Sequence, residues 1–175
     1  MRNITVRILL RRAWLLPLLV LLMGYCLPYR PVIPVAQATR SDWNQRSFWA
    51  YPWGKSITHK GIDIFAPKGR PVLAADSGWV LYSGQDPLGG NVIAVLNAKW
   101  RIAYYAHLQD NLVQAGQWVS RGEPIGSVGN SGNAAGKPPH LHYAVLSLLP
   151  YPWLYDSQAP QGHLKMFYLN PDDYF

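Results

Sequence analysis

Residues 139–146 read Pro139-His140-Leu141-His142-Tyr143-Ala144-Val145-Leu146, and this stretch decides the fold class. In an extended chain, side chains two apart share a face. Leu141, Tyr143 and Val145 then form an apolar face fit for a core, while His140, His142 and Ala144 form the opposite one. The run is read as a half-buried strand carrying two imidazoles on its open side.

Working outward, the neighbouring text has the same character. Short apolar runs at Pro71–Ala75, Gly78–Ser83, Asn91–Leu96 and Arg101–Leu108 are separated by Gly, Pro, Asn and Asp. Gly89-Gly90-Asn91 reads as a hairpin turn. No stretch of the body has the period of an amphipathic helix. Residues 59–146 are therefore expected to be all-β, an antiparallel hybrid of β-sandwich and half-open barrel. Residues 39–58, with Trp43, Phe48, Trp49, Tyr51 and Trp53, read as an irregular aromatic lead-in. Residues 147–175 read as an aromatic, proline-rich tail packed on the domain. A length of 175 residues fits one domain, and 49% hydrophobic against 14% charged residues excludes a disordered chain.

The charge is unevenly spread. Of sixteen basic residues, Arg2, Arg7, Arg11, Arg12 and Arg30 precede Ala38, which leaves eleven against nine acidic ones and a body near +2. Such a body lacks the electrostatic footprint of a nucleic-acid binder, so no nucleic-acid partner is expected. The early arginines precede an apolar run from Ala13 to Tyr29, and Ala36-Gln37-Ala38 is a small-x-small cleavage pattern. Residues 1–38 are read as a cleaved signal peptide, with a retained N-terminal membrane anchor as the rival. The apolar run is at the short edge of a membrane span, and Pro17 weakens it as a helix. Both readings export the body to the periplasm or cell envelope, and the second anchors it in the inner membrane. Arg11-Arg12 faintly resembles a twin-arginine signal. Cys26, the only cysteine, follows a bulky Tyr25 that argues against a lipoprotein site, and the body beyond it cannot form disulfides.

Five histidines punctuate the body. His140 and His142 lie side by side, an arrangement suited to zinc because neutral imidazole nitrogen is a good zinc ligand. His59 and Asp63 are four apart among glycine and β-branched neighbours, so an extended segment places both on one side. His107 alternates with Ala103 and Tyr105, and is read as lying opposite the more apolar set Ile102, Tyr104, Ala106 and Leu108. Together these groups point to a metal site with histidines to spare beside it. Glu123 is the only glutamate and adjoins no histidine, so a zincin helix with a glutamate base is absent. Hydrolysis here would need a histidine or an aspartate to handle the proton. Serine and cysteine nucleophiles fail for want of an elbow motif or a body cysteine. His163 is read as structural or solvent-exposed.

The combination Thr58-His59-Lys60-Gly61-Ile62-Asp63-Ile64, Tyr105-Ala106-His107-Leu108 and Pro139-His140-Leu141-His142-Tyr143 resembles the lysostaphin/LytM-type zinc metallopeptidases. The resemblance runs over about residues 50–146 and includes Ala66-Pro67-Lys68-Gly69-Arg70-Pro71-Val72 and Gly89-Gly90-Asn91. It implies one zinc ion per chain held by His59, Asp63 and His142. It implies catalytic roles for His107 and His140, flanking the attacking water, and peptidoglycan peptides as substrate. The alternative of another class is a non-catalytic module of the same fold that docks a cell-wall amidase or other envelope partner. The sequence departs from the family pattern at Lys137-Pro138-Pro139, where Thr-Gly-Pro is usual, and at Ala144, where an acidic or amide residue is common.

Overall fold

The computed structural model describes residues 15–175. Among the described residues, nine strands follow one α-helix, α1 (Leu15–Cys26). They are β1 (Ile62–Phe65), β2 (Pro71–Leu73), β3 (Gly78–Asp86), β4 (Gly90–Asn97), β5 (Arg101–Asn111), β6 (Trp118–Val119), β7 (Pro124–Val128), β8 (His140–Ser147) and β9 (Tyr168–Leu169). All pairings are antiparallel, in the order β1-β8-β5-β4-β3-β6. The sheet stays open rather than closing into a barrel. A side arm of β7 and β2 branches from β5, and β9 adds to β8.

The branch point shapes the molecule. Arg101–Ala106 pairs with β8, whereas Leu108–Asn111 pairs with β7. The core fills the angle between the two limbs. Ile62, Ile64, Ile93, Tyr105, Leu141, Tyr143 and Val145 enter from the main sheet, and Val72, Ile125 and Val128 from the arm. The expected alternation in β8 is present, with Leu141, Tyr143 and Val145 fully buried. Tyr105 is buried whole, and its hydroxyl accepts the Ala75 amide at 2.9 Å. One turn differs from expectation. The β3–β4 hairpin turns at Pro87–Gly89, two residues before the Gly89-Gly90-Asn91 reading. The Asp86 carboxylate fixes it by accepting the Leu88 and Gly89 amides at 2.9 and 2.6 Å.

Both ends of the chain meet this core. Val35 and Trp43 are buried within it, Leu169 joins it from the tail, and Phe175 packs against it. Among the described residues no helix is long and apolar enough to cross a membrane. Arg2, Arg7, Arg11 and Arg12, on which part of the signal reading rests, lie outside the described residues.

Candidate metal centre

The pairing of β1 with β8 sets Asp63 directly opposite His142. Ile62 and Ile64 anchor β1 in the core, so Asp63 points to the open side. His59 comes in from the segment just before β1. That segment crosses β8 so closely that a side chain at Gly61 would collide with the Tyr143 carbonyl. The sequence needs glycine there to bring His59 over the strand.

Three atoms converge as a result. His59 Nε2 lies 3.0 Å from Asp63 Oδ1, His142 Nδ1 lies 2.8 Å from the same oxygen, and the two nitrogens are 3.1 Å apart. His59, Asp63 and His142 thus form a set that could hold one metal ion. Tetrahedral zinc with bonds of about 2.0–2.1 Å would spread its ligand atoms about 3.3 Å apart, close to this triangle. The tautomer of His59 also fits. Its Nδ1 donates to the Ser47 carbonyl at 3.0 Å, which leaves Nε2 with a lone pair facing the cluster. Burial alone would raise the Asp63 carboxyl. Without a metal, where the rings carry the protons that a metal would displace, hydrogen bonds and charge from His142 and His59 outweigh that and hold it well below the ordinary range. Two imidazoles and an ionised carboxylate are a donor set that suits Zn²⁺.

His140 and His107 stand beside this triangle. The His107 ring is 5.1 Å from that of His140 and 6.0 Å from that of His142. Each has its Nδ1 committed: His140 donates to the Pro138 carbonyl at 2.8 Å, and His107 to the Ser131 carbonyl at 3.0 Å. Burial, reinforced by His142 and His140, pushes His107 down to about 4, so it is neutral at pH 7.

His107 reaches the groove by a route the alternation did not give. The faces of β5 are the reverse of those expected: Ala103 and Tyr105 enter the core, while Tyr104 and Ala106 line the groove. Plain alternation would then bury His107 with Tyr105. Instead His107 takes a left-handed backbone, φ 64°, at the point where β5 changes partners. The kink turns His107 to the groove and Leu108 into the core. Its amide donates to the Gly89 carbonyl at 2.7 Å, which holds the kink.

The groove has a volume of about 930 Å³. Several of its walls were not singled out from sequence. Trp53 stacks on His59 with ring centres 4.2 Å apart and planes inclined by 22°. Tyr104 and, from the tail, Tyr168 line the floor, and Lys55, Lys60 and Lys137 supply amines. Lys60 donates to Gln161 Oε1 at 2.6 Å, and burial lowers its pKa. Trp53 was legible only as part of an aromatic lead-in, and the carbonyl acceptors of Ser47, Ser131 and Pro138 have no side-chain signature at all. His163 is exposed and lies outside the groove.

Comparison with known proteins identifies the family and the fold. Residues 57–149 match peptidase family M23. The chain is 39% identical over 93 residues to the peptidoglycan DD-endopeptidase ShyC of Vibrio cholerae, covering 53% of this chain and 21% of that protein. It is 39% identical over 132 residues to the L-Ala--D-Glu endopeptidase of Bacillus subtilis, covering 66% of this chain and 40% of that protein. The chain thus spans well under half the length of these relatives. Among solved structures it is similar to the catalytic domain of lysostaphin from Staphylococcus simulans, with a TM-score of 0.58 and 27% identity over 73% of this chain and 87% of that one.

Proposed function

The chain belongs to peptidase family M23, and from that premise we propose that it is a zinc-dependent endopeptidase hydrolysing peptide cross-links or stem peptides of bacterial peptidoglycan in the cell envelope. One observation carries the reading. His59 Nε2, His142 Nδ1 and Asp63 Oδ1 point at a common centre, and the His59 tautomer is set by Ser47 to leave its lone pair there.

His59, Asp63 and His142 would hold the zinc, which would supply Lewis acidity, lowering the pKa of water toward about 7 and polarising the scissile carbonyl. The protein does the rest. His107 and His140, each with Nδ1–H already given to a backbone carbonyl, offer a lone pair at Nε2. Such an imidazole accepts the proton of the attacking water at Nε2. Once protonated, it donates from the same atom to the oxyanion or the leaving amine. Trp53 covers the outer face of His59 and keeps bulk water from that ligand. Lys55, Lys60 and Lys137 line the groove and suit the free carboxylates of peptidoglycan stem peptides.

The test is zinc per chain by elemental analysis, run with cleavage of cross-linked peptidoglycan fragments, on wild-type and His59→Ala protein. Near-stoichiometric zinc and cleavage are expected in the first and neither in the second. Wild-type protein that stays metal-free after incubation with zinc overturns the reading. A zinc-loaded protein that leaves the fragments uncut would instead be the docking module. That second reading is not favoured, because all five groups the chemistry needs line one groove.

A further inference from the structure

We propose that residues 29–38 are a permanent edge of the folded domain, so the chain is not cut after Ala38 and α1 stays attached to seat the protein on a lipid bilayer. The edge is built into the β2 arm. Val35 bridges Val72, and both are buried. Three backbone hydrogen bonds join the segment to the domain: Val32 N to Ala75 O at 2.9 Å, Leu73 N to Pro34 O at 2.9 Å, and Ala36 N to Pro71 O at 3.0 Å. Arg70 donates to the Ala36 carbonyl at 3.2 Å and to the Gln37 side chain at 2.7 Å, so it fastens the very residues of the cleavage pattern.

Tyr29 makes the same case at the other end of the sheet. The Arg101 guanidinium is buried and lies 4.2 Å from the centre of the Tyr29 ring, with the Tyr174 ring 5.0 Å away. Its Nη2 donates to the Tyr151 hydroxyl at 3.3 Å, while Nε and Nη1 have no hydrogen-bond partner, so the two rings supply the rest of its compensation. A cut after Ala38 would remove Val35 from the core, leave the edge of β2 bare and take one ring from a buried cation.

The occupant of α1 follows from its surface. Leu15, Leu16, Leu18, Leu19, Val20, Leu22 and Met23 are exposed. Apolar residues all round a helix call for lipid rather than water. The helix is nonetheless fixed to the body. Gly24 packs so tightly on Trp100 that a side chain there would collide with the indole, and Trp100 Nε1 donates to the Leu21 carbonyl at 3.0 Å. Lys99 donates to the carbonyls of Tyr25 and Leu27, a cation closing the helix C-terminus. Arg30, four residues beyond the helix in sequence, is exposed, and Leu148, also exposed, continues the apolar patch next to Trp100. Cations bordering an apolar patch match an anionic bilayer surface. The His59, Asp63 and His142 cluster lies toward the opposite end of β8: six residues separate His142 from Leu148, about 20 Å of extended chain.

Two measurements on the full chain test this. The first is the N-terminal sequence and intact mass of the protein recovered from a Gram-negative host. Retention of α1 and residues 29–38 is expected, and a folded protein beginning at Thr39, or any form without α1, overturns the proposal. The second is flotation with phosphatidylethanolamine/phosphatidylglycerol vesicles. The full chain should float and stay bound in about 1 M salt, where charge attraction is screened beyond ~3 Å. The L19D/L22D variant should remain at the bottom with its zinc content unchanged. Wild-type protein that does not float, or is stripped by salt, overturns bilayer seating. For the edge itself, Val35→Ala should lower the thermal midpoint, with an unchanged midpoint counting against it.

Discussion

Strands β8 and β5 each deliver histidine to the groove, and they do so by opposite means. In β8 a strict alternation puts Leu141, Tyr143 and Val145 in the core and His140 and His142 outside it. In β5 the alternation would bury His107, and a left-handed residue at the branch point turns it out again. The first arrangement uses ordinary strand geometry and costs nothing locally. The second places a residue with a side chain where about 1–2 kcal/mol is lost relative to right-handed or extended backbone. The comparison separates the roles as well. The regular strands β1 and β8 carry two of the three proposed metal ligands in direct register, whereas the kinked strand carries a histidine that stands beside them.

The largest expected effect lies on the regular strand. His142→Ala removes one of the three converging atoms, so zinc content and turnover should both fall to background. His140→Ala, two residues away on the same face, should keep most of the zinc while turnover falls by about 10²–10⁴. If His140→Ala lost the metal as completely as His142→Ala, the division between ligand and proton-handling histidine would collapse. His107→Ala on the kinked strand should behave like His140→Ala, with zinc retained and turnover reduced by about 10²–10⁴. Unchanged turnover would detach the kink from catalysis.

The two strands also mark what could be read in advance. The faces of β8 and the shared side of His59 and Asp63 follow from spacing alone, because period-two alternation is a local property. The faces of β5 came out reversed in that reading. Tyr105 is buried whole and Tyr104 lines the groove, yet both belong to one apolar run with no polar residue to tell the sides apart. The partner change after Ala106 is a tertiary event, and nothing in Ala106-His107-Leu108 announces a left-handed residue. The proposed ligand set and the histidine roles came from the resemblance to a family. Trp53 stacking on His59 was out of reach because it depends on how an irregular segment folds back.

A smaller effect concerns pH. Burial, with His142 and His140 nearby, holds His107 near 4 in the fold, against an ordinary value of about 6.5. The unfolded chain therefore binds more protons between those values. The stability tied to neutral His107 should be present above pH ~6.5 and lost as pH falls toward 4. Thermal midpoints of metal-free protein across that range should drop more steeply in wild type than in His107→Asn. Parallel curves would show that His107 is not held neutral by its surroundings.

The smallest expected effect tests the backbone difference itself, free of chemistry. In an extended strand, glycine is less stable than alanine by about 0.5–1 kcal/mol, because it gives up more conformational freedom on folding. At a left-handed position the order reverses, since alanine carries the steric cost and glycine does not. His140→Gly should therefore melt below His140→Ala, whereas His107→Gly should melt above His107→Ala. Within each pair the imidazole is gone from both variants, so its lost hydrogen bonds and packing cancel and only backbone conformation remains. The same order at both positions would mean that His107 sits in ordinary extended chain. Its presence in the groove would then need a cause other than the kink.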